Sequence, residues 1–156
     1  EDVEQATIAF ERFKVWWSEV KPVLYGAEDL LYSKAYNVCG TYDGDLGIPI
    51  EHHPKPKLFK NKKIVRVVAD WKSMPQGINY QYYVQSAIYE LIRREMGYEP
   101  ADDLLIVSAR KDGGFDTIYA SELGLGIDAC LEWAKGVITS FEYAKLTKDA
   151  LWVKGE

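Results

Sequence analysis

Nine consecutive residues constrain this chain more than any others. Ile64-Val65-Arg66-Val67-Val68-Ala69-Asp70-Trp71-Lys72 is apolar nearly throughout, rich in β-branched side chains, and ends in charge. β-Branched residues suit strands, and a run that is apolar on both of its alternating faces belongs inside a sheet, not at a solvated edge. Side chains alternate across a strand, so Asp70 and Lys72 share one face and Trp71 points to the other. Charges at the end of an interior strand need a physical reason.

The rest of the chain supplies layers for such a strand. Residues 1–21 read as an N-terminal amphipathic helix, with Val3, Ala6, Phe10, Phe13, Trp17 and Val20 on one stripe and Pro22 closing it. Residues 23–46 break into short strand-like pieces, including Leu30-Leu31-Tyr32 and the stretch from Tyr36 through Gly40-Thr41-Tyr42-Asp43. Pro75 and Gly77 mark a loop. A second helix is predicted over residues 79–96, stopped by Gly97, with Val84, Ala87, Ile88 and Leu91 as its core stripe. Strands at 104–109 and 115–120 flank the turn Lys111-Asp112-Gly113-Gly114. A last helix over 127–144 turns Ile127, Leu131, Ala134, Ile138 and Phe141 inward. Helix, strands, helix, strands, helix in 156 residues describes one α/β domain.

Residues 47–63 form a long basic hairpin connection. Pro49, Pro54 and Pro56 remove ladder donors and favour turns. His52 and His53 are adjacent, without nearby Cys or helical spacing, a poor zinc set that is expected in a solvated loop. No acid interrupts the stretch from Lys55 to Arg66, where Phe59 sits among lysines. Such a run is either simply solvated or, through Lys57, Lys60, Lys62 and Lys63, a seat for a phosphate backbone.

The net charge of −5 argues against a broad, sequence-indifferent grip on duplex DNA, yet it suits clustered carboxylates that a bound metal would offset. Cys39 and Cys130 are too few for an iron–sulfur cluster or a four-Cys zinc site and are expected as reduced, mostly buried thiols. No apolar run approaches the ~20 residues of a membrane span, and no signal pattern opens the chain. A cytoplasmic protein is expected, or one of the host cytoplasm if viral.

Asp43 ends, or nearly ends, the strand-like segment before the hairpin. If the segment from Tyr36 to Asp43 pairs with that from Ile64 to Lys72, Asp43 approaches Asp70 and two carboxylates converge, as a hard cation such as Mg²⁺ or Mn²⁺ requires. The Trp71 carbonyl would be a further ligand. Lys72, beside both metal and phosphate, would orient or activate a water and counter charge in the transition state. Taken alone, Asp-x-Lys also describes a solvated ion pair.

Gly40-Thr41-Tyr42-Asp43, then Val67-Val68-Ala69-Asp70-Trp71-Lys72-Ser73, then Tyr83-Val84-Gln85-Ser86-Ala87-Ile88-Tyr89 together resemble the RecB-like, phage-exonuclease branch of the PD-(D/E)XK nucleases. The resemblance spans roughly residues 27–143. It implies a restriction-endonuclease-like core, a central mixed β-sheet flanked by helices, in a single nuclease domain over residues 1–156. It implies Asp43 and Asp70 as metal ligands, Lys72 as the catalytic lysine, and Gln85 and Tyr89 as an accessory helix motif beside Tyr82. Gln85 bonding a loop and Tyr89 packing at the core edge is the other reading. The implied activity is Mg²⁺- or Mn²⁺-dependent hydrolysis of DNA phosphodiesters by an exonuclease of phage-like processing, recombination or repair. A junction-resolvase-like endonuclease and a catalytically silent nucleic-acid-binding domain are the alternatives.

The chain departs from the pattern in lacking a His upstream of Asp43. Glu28 or Glu19 is the available substitute, unless a longer natural N-terminus supplies one, since the sequence opens at Glu1 and not Met. Asp45 shares a strand face with Asp43, but the Gly-Thr-x-Asp register selects Asp43.

Overall fold

The computed structural model describes residues 2–73, 79–110 and 112–152; Pro75, Gly77 and Lys111 lie outside them. Helix α1 (Asp2–Val20) leads into β1 (Val23–Ala27), β2 (Leu30–Ser33), β3 (Val38–Thr41), β4 (Gly44–Pro49) and β5 (Ile64–Lys72). Helix α2 (Tyr80–Glu95), β6 (Asp103–Ala109), β7 (Phe115–Tyr119) and α3 (Ile127–Trp152) complete the chain. Five strands form one mixed sheet in the order β1-β4-β5-β6-β7, parallel between β5 and β6 and antiparallel elsewhere. A parallel pair needs a crossover, and α2 supplies it. The sheet is flanked by helices, as expected.

β5 is the central strand and its alternation divides the core. Val65, Val67 and Ala69 join Leu46, Ile48, Leu105 and Val107 in a cluster covered by Phe13, Trp16, Trp17 and Val20 of α1. Val68 joins Leu104 and Ile106 in the cluster covered by α2 and α3, through Tyr83, Ala87, Leu91, Leu131, Ala134 and Ile138. Asp70 and Lys72 therefore emerge on the α2 side and Trp71 on the α1 side. Helix α2 begins at an N-cap, Asn79, whose side chain accepts from the Gln81 N–H, and ends at Met96 before Gly97 at φ 84°.

Several expectations are corrected. The partner of β5 is β4, not the Tyr36–Asp43 segment; β3 pairs with β2 in a separate ribbon. The reason is burial: residues 44–48 are all buried, whereas β3 is half exposed along its length. The ribbon is tied to α2 by Glu95, whose carboxylate accepts from the Ser33 hydroxyl and from the Lys34 N–H at 3.1 Å. On α1, Val3 and Phe10 are exposed although Ala9 between them is buried; the residues of this helix packed on the sheet cluster are Phe13, Trp16, Trp17 and Val20. On α3, Phe141 is exposed and the helix runs on to Trp152. Cys39 is exposed and only Cys130 buried. Residues 50–63 carry two 3₁₀ turns, Ile50–His52 and Pro56–Phe59. His53 is not solvated. It is buried between the Phe59 and Tyr119 rings, its Nδ1 accepts from the Lys55 N–H, and its Nε2 lies 3.3 Å from Asp103. The second imidazole thus pins the connection to β6.

Candidate active site

Two glycines shape the approach to Asp43. Gly40 lies against the Tyr89 ring of α2, where an added Cβ would come within 2.7 Å of the ring edge. Gly44 lies under the Trp71 indole, where a Cβ would come within 2.6 Å. Between them Tyr42 is fully buried and donates its hydroxyl to Asp29 at 2.5 Å. With both flanks docked, the Asp43 carboxylate is held at the end of β5. Its Oδ2 accepts from the Trp71 backbone N–H at 2.7 Å, and its carboxyl group stands beside that of Asp70, whose ionisation it disfavours. Because Gly44 is the register partner of Ala69, Asp43 meets Asp70 even though β4 starts one residue later.

Asp70 is 3% exposed. Burial, opposed by Lys72 and reinforced by Asp43, pushes its carboxyl up to about 6. The Lys72 ammonium hydrogen-bonds Asp70 Oδ1 at 3.0 Å and lies 2.8 Å from Oδ2, at an angle that leaves Oδ2 without a directional partner among the described residues. Lys72 also donates to Gln85 Oε1 at 3.1 Å and stands 5.1 Å from the centre of the Tyr82 ring. The Gln85 amide donates in turn to the Tyr89 hydroxyl at 2.9 Å, a spacing of four on one face of α2. Asp43, Asp70, Lys72, Gln85 and Tyr89 thus form one connected constellation.

The position of α2 is fixed by a buried ionic lattice. Arg93, fully buried, donates to Glu90 at 2.5 Å and to Asp45 on β4. Arg66 of β5 grips the same Asp45 through two bonds of 2.8 and 2.7 Å, and Glu90 also takes Arg94. Asp45, the neighbour that could be mistaken for Asp43, is therefore committed to holding helix against sheet. Buried pairs of this kind cost about 3–5 kcal/mol when one partner is removed.

The remaining residues singled out by the sequence fall elsewhere. Lys57, Lys60, Lys62 and Lys63 lie before the start of β5; seven residues at ~3.3 Å each put Lys63 roughly 23 Å along the strand from Asp70. Lys62 pairs with Asp102 at 2.6 Å, and Phe59 packs on His53 instead of standing free. No cluster of three or more His, Cys, Asp or Glu suited to a metal occurs among the described residues, so neither Glu28 nor Glu19 joins the Asp43–Asp70 pair.

Sequence reasoning missed two features. Ser108 of β6 is the register partner of Lys72, buried, with a hydroxyl that has no partner among the described residues. A cavity of about 510 Å³ opens on the α1 side, lined by Phe13, Trp17, Leu24, Ala27, Glu28, Asp43 and Trp71. The helical spacing of Phe13 and Trp17 signals burial only, and nothing in it marks a wall beside Asp43. Among the described helices none is long and apolar enough to cross a membrane. Compared with models of known protein families the chain matches none, and a search of curated proteins returns no match.

Proposed function

We propose that the chain is a Mg²⁺- or Mn²⁺-dependent nuclease that hydrolyses DNA phosphodiesters, with Asp43, Asp70 and Lys72 at its centre. The carrying observation is the convergence of two carboxylates at the end of a buried strand, with an ammonium held between one of them and a helix amide. A surface ion pair would have no use for this arrangement, because burying Asp70 costs free energy that the lysine does not recover. The motif resemblance to the PD-(D/E)XK nucleases, with their restriction-endonuclease-like core, supports the same reading.

The donor set fits a hard divalent cation. Asp70 Oδ2 lacks a directional partner among the described residues, and two facing carboxylates repel unless a proton or a cation stands between them. Asp43, Asp70 and the Trp71 carbonyl would hold the ion, with waters completing the shell that Mg²⁺ prefers. Bound there, the ion supplies Lewis acidity toward a phosphoryl oxygen and a more acidic water. Lys72 brings its side-chain nitrogen to the reacting phosphate, where it opposes charge building on the non-bridging oxygens. Gln85 holds that nitrogen from the far side, and Tyr89 fixes the rotamer of Gln85. An exonuclease is the form proposed.

The test is cleavage of linear, closed-circular and single-stranded DNA with Mg²⁺, Mn²⁺ or chelator. Metal-dependent loss of linear DNA from its ends, with circular DNA intact, is expected. Cleavage of circular DNA would make the enzyme an endonuclease, and no cleavage under any metal would refute the proposal.

A further inference from the structure

The cavity beside Asp43 has three aromatic walls, two from α1 and one from β5. Phe13 stands edge-on to Trp71, with centroids 6.3 Å apart and planes at 66°, and 5.6 Å from Trp17. All three side chains are partly exposed, and Leu24 and Ala27 of β1 line it further. Its volume of about 510 Å³ falls within the ~300–1,000 Å³ of small-molecule sites. It is bounded at one point by Asp43 and at another by Glu28, and by no cation among the described residues. A phosphate does not belong in it. A flat, uncharged ring does.

Glu28 adds the polar contact. It makes no hydrogen bond or ion pair among the described residues, and its backbone sits at φ 54° in the turn between β1 and β2. That left-handed conformation suits Gly or Asn and penalises a longer side chain. The turn therefore gives no local reason for glutamate, whereas the cavity does.

We propose that this cavity is a nucleobase subsite, taking one unpaired base of the strand whose phosphate lies at Asp43 and Asp70, with Glu28 reading the donors on its Watson–Crick edge. The proposal rests on the nuclease reading for the phosphate's position and deepens it: the substrate end is single-stranded or frayed. Stacking on Trp17 and Trp71 accepts any base, as aromatic platforms do. A carboxylate accepts two hydrogen bonds from the N1–H and amino group of guanine. It accepts one from cytosine or adenine, and meets carbonyls on both sides of the single donor of thymine. Guanine is the base expected to bind best, and thymine worst.

The experiment is titration of the full chain with dGMP, dCMP, dAMP and dTMP, in chelator, followed by indole fluorescence and by NMR of the Trp side chains. The expected order places dGMP about 10-fold or more tighter than dTMP, in line with one good bidentate contact. Glu28→Gln, an exposed change that leaves the fold intact, should remove most of that preference while retaining base binding. Trp17→Phe should weaken all four nucleotides together without changing their order. Equal affinities for all four, or no perturbation of Trp17 and Trp71, overturns the proposal. So does loss of Mn²⁺ affinity in Glu28→Gln as large as in Asp43→Asn, which would make Glu28 a metal ligand. Binding is read without metal, so base binding without DNA cleavage would leave the subsite standing and refute the nuclease, and cleavage without base binding the reverse.

Discussion

Replacing Asp70 by Asn should stabilise the metal-free protein while destroying its metal response. The carboxyl is pushed from 3.8 up to about 6, first by burial and further by Asp43, against the opposing pull of Lys72. A rise of that size corresponds to about 3 kcal/mol of disfavour for the ionised form in the fold. The side chain is only 4% exposed, so solvent screening removes little of this. Asn imitates the neutral acid, and at pH 8 the variant should gain about 3 kcal/mol, or roughly 6–12 °C in Tm for a domain of this size. The raised pKa sets the sign of the pH dependence. The unaltered protein loses stability as pH rises through about 6 and has recovered all of it below 3.8, so the two unfolding curves should converge toward pH 4.

Metal narrows the difference. At 100-fold over its dissociation constant, a cation bound only by the folded state contributes about 2.7 kcal/mol. Mn²⁺ should therefore nearly close the gap at pH 8 by raising the unaltered protein and leaving Asp70→Asn unmoved. Urea unfolding at pH 4, 6 and 8, in chelator and in Mn²⁺, measures all of these terms. A variant no more stable than the unaltered chain at pH 8 in chelator would refute the reasoning, as would a gap that stays constant with pH.

Lys72→Ala should abolish DNA cleavage yet keep Mn²⁺ binding, by calorimetric titration, within a few-fold of the unaltered chain; a loss equal to that of Asp70→Asn would remove the role given to the ammonium. Gly40→Ala should drive a methyl into Tyr89, costing about 1–3 kcal/mol in urea unfolding and slowing cleavage at least several-fold through Asp43 and Gln85. Asp45→Asn should cost about 3–5 kcal/mol of stability by stranding Arg93 and Arg66, as read by denaturant midpoint, whereas Asp43→Asn should cost Mn²⁺ affinity and little stability.

How much of this was legible in the sequence depended on the kind of signal. Helix α2 was readable almost to the residue because Asn79 and Gly97 bracket it with caps whose chemistry is local. Apolar stripes were readable only where a partner surface exists. Phe10 and Phe141 continue good stripes beyond the buried part of their helices and remain exposed, since periodicity reports which face is apolar and not where the partner ends. The imidazole of His53 misled for a related reason. Its burial comes from Asp103, Phe59 and Tyr119, which are spread over sixty residues of chain.

The site shows the same division. Asp70 and Lys72 share a face by strand geometry alone, and Gln85 and Tyr89 by helix geometry alone; the structure joins the pairs through one bond from Lys72 to Gln85. Asp43 arrived at Asp70 by a different route from the expected pairing of residues 36–43. The bond from the Trp71 N–H and the two close glycine contacts set its position, and these are long-range facts that no local pattern encodes. The choice between Asp43 and Asp45 is the sharpest case. Both carboxylates belong to one short stretch, and pattern alone can favour one of them. The physical distinction lies in the partners: Asp45 is neutralised by two guanidinium groups and has no charge to spare, while Asp43 has one N–H and a second carboxylate before it. On the proposed reading, a cation is drawn to the acid that the fold has left uncompensated.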